Sequence, residues 1–135
     1  EMKFKEKNID VVTIIEDKLP PIMADGEKLG QVFINILINA IESSDPFGKI
    51  SVIYKKITRQ NQDYAGVIID DEGQGFGEKD KEEIFKPFFS TKTKGVGLGL
   101  ANVKRIIEAH HGFVSAEKRK FKGASFLIMI PIGHM

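Results

Sequence analysis

The stretch that most constrains this chain is Lys28-Leu29-Gly30-Gln31-Val32-Phe33-Ile34-Asn35-Ile36-Leu37-Ile38-Asn39-Ala40-Ile41-Glu42. At about 100° per residue, Leu29, Val32, Phe33, Ile36, Leu37 and Ala40 share the i, i+3, i+4, i+7 face that a helix turns to a core. Ile34, Ile38 and Ile41 add a second apolar flank, so the helix is expected to be buried nearly all round. Lys28, Gln31, Asn35, Asn39 and Glu42 fall on one narrow stripe. An amide in such surroundings costs about 1–3 kcal/mol unless it finds a partner. Asn35 and Asn39 point the same way, which suggests a shared partner. Two readings of the pair stand level. Each amide bonds a nearby backbone group and fixes the fold, or together they line a polar ligand with an amide oxygen facing a cation.

The rest of the chain is ordered around this helix. Ile9 to Ile15, rich in Val, Ile and Thr, reads as a strand ended by Lys18-Leu19-Pro20-Pro21. Asp25 is placed to cap the helix, which fades at Ser43-Ser44-Asp45-Pro46 before a Phe47-Gly48 turn. Lys49 to Thr58 and Tyr64 to Asp70 read as strands joined by the polar loop Arg59–Asp63, the second apolar enough to be central. Asp80 to Phe85 reads as a short helix stopped by Pro87. A helix opening at Gly95-Val96-Gly97-Leu98-Gly99 carries Leu100, Val103, Ile106 and Ile107 on one face and ends at His110-His111-Gly112, with Gly at C′. Phe113 to Lys118 and Gly123 to Ile132 close as a hairpin. About five strands and three helices, with short turns between neighbouring strands, predict an α+β two-layer α/β sandwich: a mixed five-stranded sheet covered on one face by three helices.

Size and charge limit the function classes. The 135 residues fit one domain with one core, and a net charge of +1 gives no field to draw the chain to nucleic acid or a membrane. With no Cys there is no disulfide, thiolate metal site or Cys nucleophile, as suits the cytoplasm. No apolar run approaches a membrane span, because Asn35 and Asn39 interrupt the longest. The start, Glu1-Met2-Lys3, shows no signal-peptide pattern, and residues 1–135 read as one domain of a longer protein.

Two further segments carry chemistry. Asp71-Glu72-Gly73-Gln74-Gly75-Phe76 comes directly off the central strand. Its glycines permit a tight turn and the approach of a planar ring, and a buried acid there can accept a hydrogen bond from an exocyclic amino group such as adenine's. A turn acidified for solubility is the competing reading. Gly95-x-Gly97-x-Gly99 runs into a helix, so backbone N–H groups and the positive helix end face an anion. It follows a loop rather than a strand and lacks a Gly-Lys-Ser/Thr, which separates it from the dinucleotide fingerprint and the P-loop. Ser90, Thr91 and Lys92 add hydroxyls and a cation suited to phosphate oxygens. An adenine end, a phosphate end and an amide stripe make an ATP site, with Mg²⁺ held by amide and phosphate oxygens and water.

The order of these segments resembles a known family. Asn35-x-x-x-Asn39-Ala40, Asp71-x-Gly73-x-Gly75-Phe76, Phe85-x-Pro87-Phe88-Phe89, Gly95-x-Gly97-Leu98-Gly99-Leu100 and Gly123-x-x-Phe126 are similar to the N, G1, F, G2 and G3 boxes of sensor histidine kinases, over nearly the whole chain. The resemblance implies the ATP-binding (Bergerat, GHKL) fold shared with type II topoisomerases, mismatch-repair MutL proteins and heat-shock chaperone ATPases. It implies that Asn39 ligates Mg²⁺, that Asn35 lines the phosphate side as its catalytic companion, and that Asp71 reads adenine. Gly73, Gly75 and Phe76 complete the base end. Ser90, Thr91, Lys92, Gly95, Val96, Gly97, Leu98, Gly99 and Leu100 form the phosphate-covering lid and its anchor. Glu42 closes the stripe, where many members carry a basic residue. Three residues separate Thr91 from Gly95, a short lid similar to that of nitrogen-regulatory and sporulation-type kinases.

The implied activity is transfer of the γ-phosphate of Mg-ATP to a histidine in two-component signal transduction. The implied partners are a phosphoacceptor helical hairpin of the same protein, absent from this sequence, and a downstream response regulator. No nucleic acid and no direct membrane contact are implied for this domain. Where chaperone and topoisomerase relatives place a Glu to activate water, this chain has Asn35, which takes no proton at neutral pH, so hydrolysis is expected to be slow. His110, His111 and His134 lack an acceptor's surroundings, and the domain alone is expected to bind ATP without phosphorylating itself. A nucleotide-gated interaction module without catalysis, or an anti-sigma-type serine kinase, are the alternatives.

Overall fold

The computed structural model describes residues 8–20, 24–77, 80–86 and 99–132. Strand β1 (Asp10–Ile15), helix α1 (Gly26–Ser43), strands β2 (Lys49–Arg59) and β3 (Gln62–Asp70), helix α2 (Gly99–Ala109) and strands β4 (Phe113–Lys118) and β5 (Ala124–Pro131) follow in chain order. A 3₁₀ turn, Glu83–Phe85, lies between β3 and α2. The expected third helix is this one turn: among the described residues, two α-helices pack on the sheet. Phe85 pins the turn by meeting Phe126 edge to face, with ring centroids 6.2 Å apart.

The sheet order is β1-β2-β3-β5-β4. β1 runs parallel to β2, and every other pair is antiparallel. A parallel neighbour needs a crossover, and α1 is that crossover. Strand alternation sends Ile50, Val52, Val67, Ile69, Ala116, Phe126, Ile128 and Ile130 toward the helices, where Val32, Ile36, Ala40, Val103, Ile106 and Ile107 meet them. The opposite face has no helix among the described residues. The predicted two-layer α+β arrangement is the observed one.

α1 begins as its sequence predicts, with Asp25 Oδ1 accepting the Lys28 N–H at 3.2 Å. Its environment differs from expectation. Ile34 is 56% exposed and Ile38 38%, and only Ile41 of the second apolar flank is buried. The helix lies on the sheet by one face, with α2 alongside, and among the described residues the flank at Ile34 and Ile38 stays open. The β2–β3 connection is tighter than the expected five-residue loop. Arg59 pairs with Gln62, and the two residues between, Gln60 and Asn61, both have positive φ, as in a type I′ hairpin turn.

The end of α2 is a Schellman motif in which His111, at φ +63°, holds the left-handed position expected of Gly112. Gly112 N–H reaches Ile107 O at 2.9 Å and His111 N–H reaches Glu108 O at 3.0 Å. Gly112 has a different reason to be glycine: a Cβ there would stand 2.2 Å from Met129 O, so the chain could not lie against β5.

Candidate functional site

Asp71, one residue past the end of β3, is 1% exposed. Its Oδ1 accepts two backbone N–H groups, from Gly73 at 2.8 Å and from Ala124 at 3.2 Å. Its own N–H donates to Ala124 O at 2.9 Å, and its carbonyl accepts from Arg119 Nη1 at 2.8 Å. The start of β5 and the residue just past the end of β4 thus grip this acid through backbone and side chain together. The grip demands a close approach: Gly123 has φ +100°, and a Cβ on it would lie 2.0 Å from Asp71 O.

The following residues tie the acid to the amide helix. Gly73 is buried against the last turn of α1, where a Cβ would meet Ser43 O at 2.3 Å, and Gln74 N–H donates to the same carbonyl at 3.2 Å. Gly75 takes φ +73° and passes close to Gly123 O. Phe76 is partly buried on the core. The adenine-end residues named from the sequence, Asp71, Gly73, Gly75 and Phe76, therefore converge at the C-terminal end of α1.

On that helix Asn35 and Asn39 are half-buried, between the exposed Gln31 and Glu42. Asn35 Nδ2 donates to Gly99 O at 3.4 Å. Asn35 thus has a backbone partner, and the carbonyl it reaches belongs to the first residue of α2, the last glycine of the Gly-rich segment. Leu100 packs partly buried on the core beside it. The other residues expected in the lid, Ser90, Thr91, Lys92, Gly95, Val96, Gly97 and Leu98, lie outside the described residues.

At the other end of α2, His110 Nε2 accepts the Asp25 N–H at 3.0 Å, and Nδ1 lies 2.8 Å from Ile106 O. These two bonds assign the neutral imidazole with its proton on Nδ1. The two helices are thus joined near both ends of α2. The His110 imidazole serves the helix terminus, whereas His111 serves it through its backbone N–H.

Among the described residues, no group of three or more His, Asp or Glu side chains could hold a metal ion. The stripe offers amide oxygen and little charge, a donor set that suits Mg²⁺ only when phosphate oxygens and water complete its shell. At the β4–β5 turn, a hydrogen bond to Asp45 and that residue's charge hold the Lys122 ammonium above its ordinary pKa.

Three contributors escaped sequence reasoning: the guanidinium of Arg119, the carbonyl of Ser43 and the N–H of Ala124. Backbone groups leave no mark on residue type. For Arg119 the only hint was Gly123, four residues on.

The family described as histidine kinase-, DNA gyrase B- and HSP90-like ATPase matches residues 24–134. The signal transduction histidine-protein kinase AtoS of Escherichia coli is 37% identical over 127 residues, covering 94% of this chain and 20% of that protein. Sporulation kinase E of Bacillus subtilis is 38% identical over 125 residues, covering 93% of this chain and 16% of that one. The chain thus spans a fifth or less of the length of these two relatives. A nucleotide-free structure of the catalytic domain of histidine kinase ThkA superposes with a TM-score of 0.83 at 35% identity, over 96% of this chain and 83% of that chain. ThkA in complex with the response regulator protein TrrA superposes with a TM-score of 0.79 at 32% identity, over 98% of this chain and 36% of that chain. Among the described residues, no helix is long and apolar enough to cross a membrane.

Proposed function

This chain belongs to the family of histidine kinase-, DNA gyrase B- and HSP90-like ATPases, and on that premise we propose that residues 1–135 are the catalytic domain of a sensor histidine kinase, binding Mg-ATP and donating its γ-phosphate to a histidine on a separate helical hairpin. One observation supports this above the others: a buried carboxylate, Asp71, oriented by two backbone N–H groups and seated at the end of a helix that carries two half-buried amides.

Each residue then has a stated task. Asp71 Oδ1 is engaged by backbone, and Oδ2 is assigned to the exocyclic amino group of adenine. Gly73 and Gly75 keep the floor of the base pocket free of Cβ atoms, and Phe76 backs it. Asn39 contributes an amide oxygen to Mg²⁺, whose chemistry here is to neutralise charge on the phosphates. Asn35 lines the phosphate side beside Asn39, and its bond to the Gly99 carbonyl steadies the entry of α2, and with it Gly99 and Leu100. Ser90, Thr91, Lys92, Gly95, Val96, Gly97 and Leu98 are assigned to the phosphates, in a lid of the short type, and Glu42 closes the stripe.

Phosphoryl transfer depends on placement and charge neutralisation more than on covalent help. Asn35 is no base, so water attacks poorly and the acceptor must arrive from outside. That acceptor is the hairpin's histidine, and a response regulator then takes the phosphoryl group; the structure of ThkA with TrrA is the precedent for such a partner. The domain works in the cytoplasm, without contact to nucleic acid or membrane.

Calorimetric titration with ATP, with and without Mg²⁺, tests the reading. Asn39→Ala should weaken binding about tenfold or more with Mg²⁺ and much less without it. Equal losses would leave Asn39 a purely structural amide. Labelled ATP with an added acceptor hairpin should give acid-labile phosphate on that hairpin and none on this domain alone.

A further inference from the structure

We propose that Arg119 is a positioning residue for adenine recognition, holding the Asp71 carbonyl so that the carboxylate keeps its base-reading orientation. The inference rests on the nucleotide reading above. β3 leaves its ladder at the Asp70–Ser125 pair, one residue before Asp71, so ordinary strand pairing no longer fixes the Asp71 peptide on both sides. The N–H side is still paired, with Ala124 O at 2.9 Å. The carbonyl side is held by a side chain instead: Arg119 Nη1 donates at 2.8 Å from a half-buried guanidinium.

Arg119 is itself anchored, because its backbone N–H donates to Gly123 O at 3.0 Å across the neck of the turn. One residue therefore closes the hairpin and reaches from it to β3. The close passage of Gly123 over Asp71 O allows that reach. Asp71 is left with its N–H, its carbonyl and Oδ1 all tied to the same hairpin. A carboxylate so tethered can swing only if the hairpin lets go.

The residue type fits the task. A guanidinium is charged at all working pH values, presents a rigid fork of donors, and makes charge-assisted bonds stronger than neutral ones. Lysine supplies the charge but a single flexible point of contact. Arg119 touches neither base nor phosphate in this reading and acts only through Asp71.

The test compares two nucleotides that differ at the purine 6-position, Mg-ATP and Mg-ITP, the second lacking the exocyclic amino group. In Arg119→Met, affinity for ATP should fall about tenfold while that for ITP changes by less than about twofold, so the ATP/ITP ratio collapses. Arg119→Lys should recover part of the ratio. Arg119→Met added to Asp71→Asn should lower the ratio no further than Asp71→Asn alone, because the two act in series. An unchanged ratio in Arg119→Met would overturn the proposal, whether both affinities hold or both fall together with the melting temperature. A further additive loss in the double variant would also overturn it. If Asp71→Asn by itself leaves the ratio intact, the adenine assignment of Asp71 fails first and takes this inference with it. If Asp71→Asn collapses the ratio and Arg119→Met does not, only the role of Arg119 is lost.

Discussion

Asp70 and Asp71 are neighbours in the chain, yet the alternation of β3 sends them to opposite faces of the sheet and their oxygens meet opposite fates. On the helix side, Asp71 Oδ1 is bonded twice to backbone and the residue is almost wholly buried. On the far side, Asp70 Oδ1 is buried with no hydrogen-bond partner among the described residues. It lines a cleft of about 740 Å³ shared with Phe47, Arg119, Phe121 and Ser125. A charged residue type therefore says little about a site. What separates the two acids is whether the surrounding backbone has been bent to serve them. Around Asp71 it has been: Gly73, Gly75 and Gly123 are each shaped by a close approach. Around Asp70 the strand is regular.

The contrast can be broken by substitution. Asp71→Asn should reduce ATP affinity by about 100-fold, since an amide turned to keep its oxygen on the backbone donors presents N–H to an adenine N–H. Calorimetry reads the loss, and near-normal affinity would make the two acids equivalent. Gly123→Ala should lower the unfolding free energy by about 2 kcal/mol or more, from a strained φ and a Cβ driven into Asp71 O. Denaturant titration measures this, and ATP binding should fall with it. Asp70→Asn sharpens the other half. It should leave ATP affinity within about twofold and change stability by less than about 1 kcal/mol. A loss comparable to that of Asp71→Asn would show that the far face takes part in the site.

The elements most legible in the sequence were those whose cause is local. The Asp25 cap and the strands β2, β3, β4 and β5 all follow from residue type and period. The exposure of Ile34 and Ile38 was not legible, because periodicity reports where apolar residues lie and not what covers them. The exchange of roles at His111 and Gly112 escaped for a related reason. Either residue could have taken the left-handed position, and the choice was made by the nearness of Met129 O on another element.

The site divides in the same way. Asp71, its glycines and the amide stripe stood out as residue types at odds with their surroundings. The bond from Arg119 joins residues 48 apart, and that from His110 to Asp25 joins residues 85 apart. No spacing rule spans such distances. Asn35 lay between these cases. The sequence marked it as an amide needing a partner, and only the fold names that partner as the carbonyl of Gly99.

The double attachment of α2 to α1 has a mechanical consequence. Eleven residues at about 1.5 Å each make α2 a lever about 16 Å long, with the His110–Asp25 bond as its pivot and the Asn35–Gly99 bond at its free end. A tilt of about 4° about that pivot carries Gly99 through about 1 Å, enough to part a hydrogen bond that is already 3.4 Å long. A small change in the angle of α2 is thereby converted into the making or breaking of one contact on the amide stripe.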